Sequence, residues 1–295
     1  MKPLFGEIMK LFFIFFISLI ASAKEITPRV IYGEDNRLDP FEVVHSDQLD
    51  WARSTALIAY DYELIQKGDR VELLSETFRE RAGVCKTEPF YQQPSLGHCS
   101  AFLVAPDTVA TAGHCIHTPG ECKRTRIIFN FGYWEKDQPL NTVPTDAVYE
   151  CKKIIARKLE NTGIDYAIIK LDRKVIDQAP LSISQKKQPL LNTPLVVIGH
   201  PHGLPTKIAA GASVKEIKKG YFIANLDTYG GNSGSPVFNE ETGEVEGILV
   251  RGERDYVYQG NCAVSHRCPQ NLNDDRCKGE EVTLTSAFLS HIPTE

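Results

Sequence analysis

The sequence has little that would attract nucleic acid or a membrane surface. Its 295 residues carry 33 Lys and Arg against 38 Asp and Glu, which gives a formal net charge of −5. A basic excess of the kind that binds phosphate or anionic lipid is therefore missing. Internal repeats, low-complexity tracts and Gly/Ser-rich linkers are absent as well. We expect a globular protein with a sizeable core and no nucleic-acid partner.

Long apolar runs are also absent, except near the N-terminus. There Lys2 and Lys10 precede the run Leu11 to Ile20, and Ala21-Ser22-Ala23 follows. A charged start, a run of about ten apolar residues and small residues at its end are typical of a cleaved signal peptide. We predict a signal peptide over residues 1–23, a secreted or periplasmic protein, and no membrane contact after cleavage. An uncleaved anchor is the alternative.

Export favours disulfides over free thiols among the cysteines. The even set comprises Cys85, Cys99, Cys115, Cys122, Cys151, Cys262, Cys268 and Cys277. A zinc site built from Cys262, His266, Cys268 and Cys277 is the alternative, but this spacing matches no common pattern of paired ligands. We predict no metal and no cofactor.

Extended helical periodicity is missing too. Short apolar runs recur instead between Gly, Pro, Asn and Asp, as in an all-β sandwich or barrel. We expect a helix or surface insertion at residues 71–81 and a short C-terminal helix at 285–292. Pro180 and neighbouring charges divide two strand-rich halves. The predicted divisions are a propeptide at 24–29, a first domain at 30–176 and a second at 177–295.

Three segments carry residues suited to nucleophilic catalysis. They are Thr111-Ala112-Gly113-His114-Cys115, Asp165-Tyr166-Ala167-Ile168-Ile169-Lys170-Leu171 and Gly230-Gly231-Asn232-Ser233-Gly234-Ser235-Pro236. A serine hydroxyl needs a base to take its proton, and a carboxylate must orient that base. Ser233, His114 and Asp165 are the candidates. Glycines beside the serine let the backbone amides of Gly231 and Ser233 form an oxyanion hole.

Taken together and in this order, the motifs resemble the trypsin/chymotrypsin superfamily of serine proteases. The Asn232-Ser233-Gly234-Ser235-Pro236 form is similar to the bacterial branch that includes the staphylococcal glutamyl endopeptidases. This resemblance implies two six-stranded antiparallel Greek-key barrels with the active site between them. It implies a secreted endopeptidase that acts on polypeptides through an acyl-enzyme on Ser233, works as a monomer, and has a Cys99–Cys115 disulfide. The remaining pairings, including Cys122–Cys151, stay open.

The resemblance also places residues at the pocket for the side chain before the scissile bond. Asp227 takes the position at the pocket base, which predicts cleavage after Lys or Arg, since a buried carboxylate needs a cation. Thr228, Leu249 and Gly252 are the other predicted substrate-binding residues. Leu249 stands where glutamyl endopeptidases have a histidine, which argues against cleavage after Glu. Arg251 is an alternative internal partner for Asp227.

Two departures from the family pattern have consequences. Val250 stands where many relatives carry a serine that supports the catalytic aspartate. Asn232 replaces the aspartate that pairs with a new N-terminus in animal trypsins, so we predict that this salt bridge does not gate activation. Cleavage after Arg29 stays open.

Two alternative functions remain. One is a silent homologue that only binds, and the other is a periplasmic HtrA-type protease. The second is disfavoured, because we expect the barrels to leave no room for a PDZ domain after them. The histidines other than His114 are expected to be structural or surface residues: His45, His98, His117, His200, His202, His266 and His291.

Overall fold

The computed structural model describes residues 31–161, 163–272 and 277–293. The predicted signal peptide and propeptide lie outside these residues. Within them, every helix is too short or too polar to cross a membrane.

Two closed six-stranded antiparallel barrels make up most of the described chain, as the resemblance implied. The first consists of β1 (Thr55–Tyr60), β2 (Cys99–Ala105), β3 (Thr108–Thr111), β4 (Thr125–Phe129), β5 (Val148–Leu159) and β6 (Asp165–Leu171). The second consists of β7 (Pro194–Gly199), β8 (Lys207–Ile217), β9 (Tyr221–Ala224), β10 (Pro236–Asn239), β11 (Val245–Arg251) and β12 (Glu280–Leu284).

Both barrels have the same strand order. In the first, the neighbours run β1-β2-β3-β6-β5-β4 and β4 closes on β1. In the second, they run β7-β8-β9-β12-β11-β10 and β10 closes on β7. Closure leaves neither sheet with an open edge, and it encloses the apolar side chains of every strand. The chain therefore builds one Greek-key topology twice.

The barrel strands are rich in Val, Ile, Ala and Phe, which fit a pleated and buried surface. All of β2 is buried, because its side chains face either the barrel interior or the second barrel. By contrast, burial alternates along the surface strand β5, which buries Tyr149 and Cys151 and exposes Glu150 and Lys152. One apolar cluster joins the barrels, and Phe102 and Ile168 meet Val196 and Phe238 in it.

Shorter elements surround the barrels. The further strands are Ile31–Tyr32, Arg37–Leu38, Leu64–Lys67, Arg70–Leu73, Glu76–Thr77, Pro94–Ser95, Thr142–Pro144, Tyr256–Gln259, Cys262–Ser265 and Arg267–Cys268. The α-helices are α1 (Ser46–Arg53), α2 (Phe78–Ala82) and α3 (Pro119–Arg124). The 3-10 turns are Pro40–Glu42, Asp61–Glu63, Gly113–Cys115, Thr145–Ala147, Pro201–Gly203, Thr285–Ala287 and Leu289–His291.

Two predictions about local structure were only partly right. The expected helix at residues 71–81 is a strand followed by the short helix α2, which Thr77 caps through the amide of Glu80. The expected C-terminal helix is a pair of 3-10 turns. In both places the chain packs against neighbouring strands, and this contact overrides the helical preference of single residues.

The N-terminal segment departs from the predicted division at residue 30. Ile31–Tyr32 pairs in parallel with Arg267–Cys268, and Arg37–Leu38 extends the second barrel along β8. This segment was assigned to the first domain, but it packs on the second. The assignment followed chain order, whereas this pairing joins positions more than 150 residues apart in sequence, as from Ile31 to Arg267.

All eight cysteines are paired in the described residues. The structure contains Cys99–Cys115, Cys122–Cys151, Cys85–Cys262 and Cys268–Cys277. The alternative zinc site is thereby excluded, because its three sulfur atoms belong to disulfides.

Candidate active site

His114 and Asp165 form a direct pair at the cleft between the barrels. His114 Nδ1 lies 2.8 Å from Asp165 Oδ2, and the His114 backbone amide donates to Asp165 Oδ1 over 3.1 Å. Asp165 is fully buried, whereas the His114 side chain is 34% exposed. A carboxylate at Nδ1 favours the tautomer with the proton on that nitrogen, which leaves Nε2 as the proton acceptor.

The 3-10 turn Gly113–Cys115 places His114 against the start of β6. Gly113 is needed there because an added Cβ would come within 2.3 Å of the Lys158 carbonyl oxygen and 3.0 Å of Asp165 Oδ1. The disulfide from Cys115 to Cys99 then fixes the end of this turn to β2. Both ends of the histidine turn are therefore fixed to barrel strands.

The loop that carries Ser233 is fitted against the first barrel. Gly234 has φ +92°, and a Cβ on it would lie 2.0 Å from the Ser100 carbonyl oxygen and 2.3 Å from Thr111 Oγ1. In return, the Ser100 amide donates to the Ser233 carbonyl over 2.8 Å, and Ser100 Oγ donates to the Gly231 carbonyl. Ser100, which was not singled out in the sequence, thus holds the serine loop from the opposite barrel.

The structure brings Ser233 beside the histidine turn. Cys115 Sγ lies 3.6 Å from the Ser233 carbonyl oxygen. Among the described contacts, no hydrogen bond joins Ser233 Oγ to His114. Catalytic hydrogen bonds of this kind are often long before substrate binds.

The predicted oxyanion amides are not used inside the described chain. Neither the Gly231 nor the Ser233 amide donates to a protein acceptor there, whereas Asn232 donates to the Tyr229 carbonyl and Gly234 to that of Leu249. Gly231 has φ +91°, and an added Cβ would lie 2.7 Å from the His200 carbonyl oxygen. The two amides thus remain available for a substrate oxygen.

Arg251 contacts the aspartate of the pair, a role that the sequence did not reveal. Its Nη2 lies 3.3 Å from Asp165 Oδ2, and the guanidinium also binds Glu281 and the carbonyl oxygens of Glu160 and Gly163. Arg251 had been considered as a partner for Asp227 and is not one. It supplies a donor beside Val250, where relatives carry the supporting serine. Fork geometry allows one guanidinium to make all these contacts.

Thr283 on β12 fixes the backbone of Asp165. Its Oγ1 accepts from the Asp165 amide and donates to the Asp165 carbonyl, both over 3.1 Å. A strand of the second barrel therefore positions a residue of the first. The sequence does not indicate this contact, because Thr283 and Asp165 are far apart along the chain. A threonine between apolar residues also gives no sign of such a role by itself.

A cavity of about 200 Å³ lies beside Ser233. The predicted substrate-binding residues Thr228, Leu249 and Gly252 line it, as do Tyr229, Gly230, Val250, Arg251, Glu253, Asp255 and Glu280. It is large enough for one side chain.

Asp227, predicted at the pocket base, is not among the residues that line this cavity. Its carboxylate accepts from the backbone amides of Tyr32 over 2.7 Å and Asn36 over 3.0 Å. Burial raises the pKa of Asp227 to about 6, although the two amides oppose the shift. The N-terminal segment was expected on the first barrel. It lies on the second barrel instead, and its backbone amides bind the Asp227 carboxylate.

Glu280 is the buried carboxyl group that does line the cavity. Thr228 Oγ1 donates to its Oε2 over 2.8 Å, and Tyr32 Oη lies 3.3 Å from its Oε1. Burial raises the pKa of Glu280 to about 8. The signal available in the sequence was an acidic residue at the start of an apolar strand that follows the serine motif.

Two histidines outside the pair lie near the serine loop. His202 Nε2 lies 3.3 Å from Asp255 Oδ2, and the same oxygen accepts from the Gly230 amide over 2.8 Å. His200 is fully buried, and burial lowers its pKa to about 3, so it stays neutral. Among the described contacts, neither side chain hydrogen-bonds Ser233.

The Cys99, His114 and Cys115 side chains lie within ligand distance of one another. Both sulfur atoms are in a disulfide, and Asp165 engages the histidine. The grouping is therefore explained without a metal.

Comparison with known proteins adds to this geometry. A model of the trypsin-like peptidase domain matches residues 99–248. The glutamyl endopeptidase of Bacillus licheniformis is 27% identical over 157 residues, covering 50% of this chain and 47% of the relative. The extracellular metalloprotease of Bacillus subtilis is 26% identical over 198 residues, covering 61% and 59%. The chain thus spans about half to three fifths of the length of these relatives.

Solved structures share the fold. A Glu endopeptidase in complex with MPD superposes with a TM-score of 0.51 at 18% identity, over 89% of this chain and 97% of that one. The VesB protease of Vibrio cholerae gives 0.52 at 14% identity, over 89% and 66%. At these identities the likeness concerns the double barrel alone.

Proposed function

The chain belongs to the trypsin-like peptidase family, and from this premise we propose that it is a serine endopeptidase whose nucleophile is Ser233. The observation that carries the proposal is the His114–Asp165 pair, set by two hydrogen bonds beside the serine loop. A histidine whose Nδ1 is held by a buried carboxylate offers Nε2 as a general base. Asp165 fixes the orientation of His114 and stabilises its charged form.

The reaction runs through an acyl-enzyme. Ser233 Oγ bonds to the substrate carbonyl carbon while His114 takes its proton, and the resulting oxyanion accepts from the Gly231 and Ser233 amides. His114 then gives the proton to the leaving amine as the C–N bond breaks. Water, deprotonated by His114, then attacks the ester carbonyl. As the ester C–O bond breaks, His114 returns the proton to Ser233 Oγ, which releases the acid product and the free serine.

We extend the proposal to the location and the substrate. The names of the relatives include an extracellular protease, and the N-terminus has the order of a signal peptide, so we propose a secreted enzyme. The name of the other relative would give cleavage after Glu. Glu253 and Asp255 line the cavity beside Ser233, and their negative charge would repel a glutamate side chain. We propose cleavage of polypeptides after Lys or Arg.

A fluorophosphonate probe tests the nucleophile directly. Wild type should be labelled and should cleave an unfolded protein, and Ser233→Ala should abolish both. Ser235→Ala is the matched control, because Ser235 lies in the same loop with its hydroxyl toward Asn232. It should keep its labelling. A wild type that is folded yet never labelled would favour the silent homologue.

A further inference from the structure

We propose that Glu280 is the residue that selects the substrate side chain, by accepting the ammonium of Lys or the guanidinium of Arg on the cavity floor. The inference rests on the proposed function, since it takes Ser233 as the nucleophile. It replaces Asp227, which the family position pointed to and which lies in the loop before Ser233, with a residue on β12.

The position of the Glu280 carboxylate supports this role. Glu280 begins β12 and lines the same cavity as Ser233 and Gly252. A Cβ on Gly252 would fall 1.7 Å from Glu280 Oε2. The carboxylate is thus in contact with the backbone of the residue that follows β11, on the wall of the cavity. Only a residue without a side chain fits opposite it.

All the hydrogen-bond donors to this carboxylate are uncharged. They are the hydroxyls of Thr228 and Tyr32 and the backbone amide of Glu253, at 2.8, 3.3 and 3.3 Å. In the described part of the chain, Glu280 has no ion pair with Lys or Arg. A buried carboxylate without a cation is unfavourable, and burial raises the pKa of Glu280 to about 8. A substrate cation would supply the missing charge.

The other charged groups around the cavity do not neutralise it. Asp255 and Glu253 add negative charge to its lining. Arg251 is the only cation in the lining, and its guanidinium is committed to Asp165 and Glu281. A bound Lys or Arg side chain would therefore meet a surplus of acid.

Asp227 does not line the cavity and acts on Glu280 through Tyr32. It holds the Tyr32 amide, while the Tyr32 hydroxyl reaches Glu280. Both oxygens of Asp227 are taken by backbone amides, so a substrate would have to displace the N-terminal segment to reach them. Its contribution to selectivity is indirect, through the placement of Tyr32.

The interaction should depend on pH. Below about pH 8 the empty site holds a neutral carboxyl group, and a cation must drive off a proton to bind. Benzamidine, an aromatic cation, serves as a probe that needs no turnover. Its affinity for wild type should rise about tenfold for each pH unit gained below pH 8 and level off above it, and Glu280→Gln should bind it weakly at every pH.

The decisive experiment compares wild type, Glu280→Gln and Glu246→Gln on peptides that differ only in the residue before the scissile bond. Glu246 is a buried glutamate of the same barrel that lies outside the cavity and accepts from Asn239. Glu280→Gln should lose about 100-fold in kcat/KM after Lys and Arg, with little change for the peptide with Leu. The control should behave as wild type.

Three outcomes overturn the role of Glu280 while leaving the nucleophile intact. They are cleavage after Glu by wild type, an unchanged preference in Glu280→Gln, and equal losses in Glu280→Gln and Glu246→Gln. Fluorophosphonate labelling of each variant separates these results from failure of the proposed function, which would show as unlabelled wild type.

Discussion

Replacing Arg251 with Met tests whether the guanidinium supports the catalytic pair. Asp165 is fully buried, and Arg251 is the only Lys or Arg bonded to it in the described chain. Removing one member of a buried ion pair costs about 3–5 kcal/mol. Asp165 keeps two hydrogen bonds from His114, and Arg251 is 28% exposed, so roughly half of that cost should remain. We expect the free energy of unfolding to fall by about 1.5–2.5 kcal/mol, and kcat/KM to fall as well, because Asp165 holds His114 less firmly.

Arg251→Lys distinguishes this role from a loss of packing. The substitution keeps the positive charge beside Asp165 but not the fork of the guanidinium, so it should restore only part of what Arg251→Met loses.

The assays are urea unfolding and kcat/KM of active-site-titrated enzyme. Arg126→Met is the matched control, because Arg126 pairs with Glu150 on the surface of the first barrel. It should change kcat/KM little. If Arg251→Met retains the wild-type free energy of unfolding and the wild-type kcat/KM, Arg251 does not position Asp165.

Two further predictions concern stability. Burial raises the pKa of Glu280 from 4.5 to about 8, so the folded chain binds this proton more tightly than the unfolded chain, and the free energy of unfolding should fall as pH rises from 4.5 to 8. Glu280→Gln should remove this decline, so its melting temperature relative to wild type should increase with pH; a constant difference would contradict the argument. Replacing both Cys85 and Cys262 with Ala should destabilise more than replacing Cys122 and Cys151, because the first disulfide spans 177 residues and the second 29. Loop entropy predicts losses of about 5 and 3.5 kcal/mol, measured by urea unfolding, and equal losses would contradict this account.

The parts of the site that lie within one motif could be predicted from the sequence. The His114, Asp165 and Ser233 segments each combine a functional residue with the glycines or apolar residues that its turn or strand requires. The structure places all three segments at one cleft. The double barrel was predictable for the same reason, since the resemblance extends over these segments.

The pocket and the support of the pair were not predictable in this way. Glu280 and Arg251 act through contacts between segments that are distant along the chain, such as Tyr32 with Glu280 and Arg251 with Asp165. Family position led to Asp227, but the N-terminal segment pairs with the second barrel and occupies that carboxylate. Local patterns carry no information about which barrel a short terminal strand will join.

The disulfide between Cys85 and Cys262 has a consequence if the proposed protease cuts its own chain. Of the four bonds in the described chain it alone joins the two halves, since the others close within one half. The connection between the barrels runs from residue 172 to 193 and exposes Lys186 and Lys187. A cut after either lysine would leave two fragments held by one covalent link and by the shared apolar core. Such nicked molecules would migrate as a single species until reduced, and they would keep Ser233 beside His114.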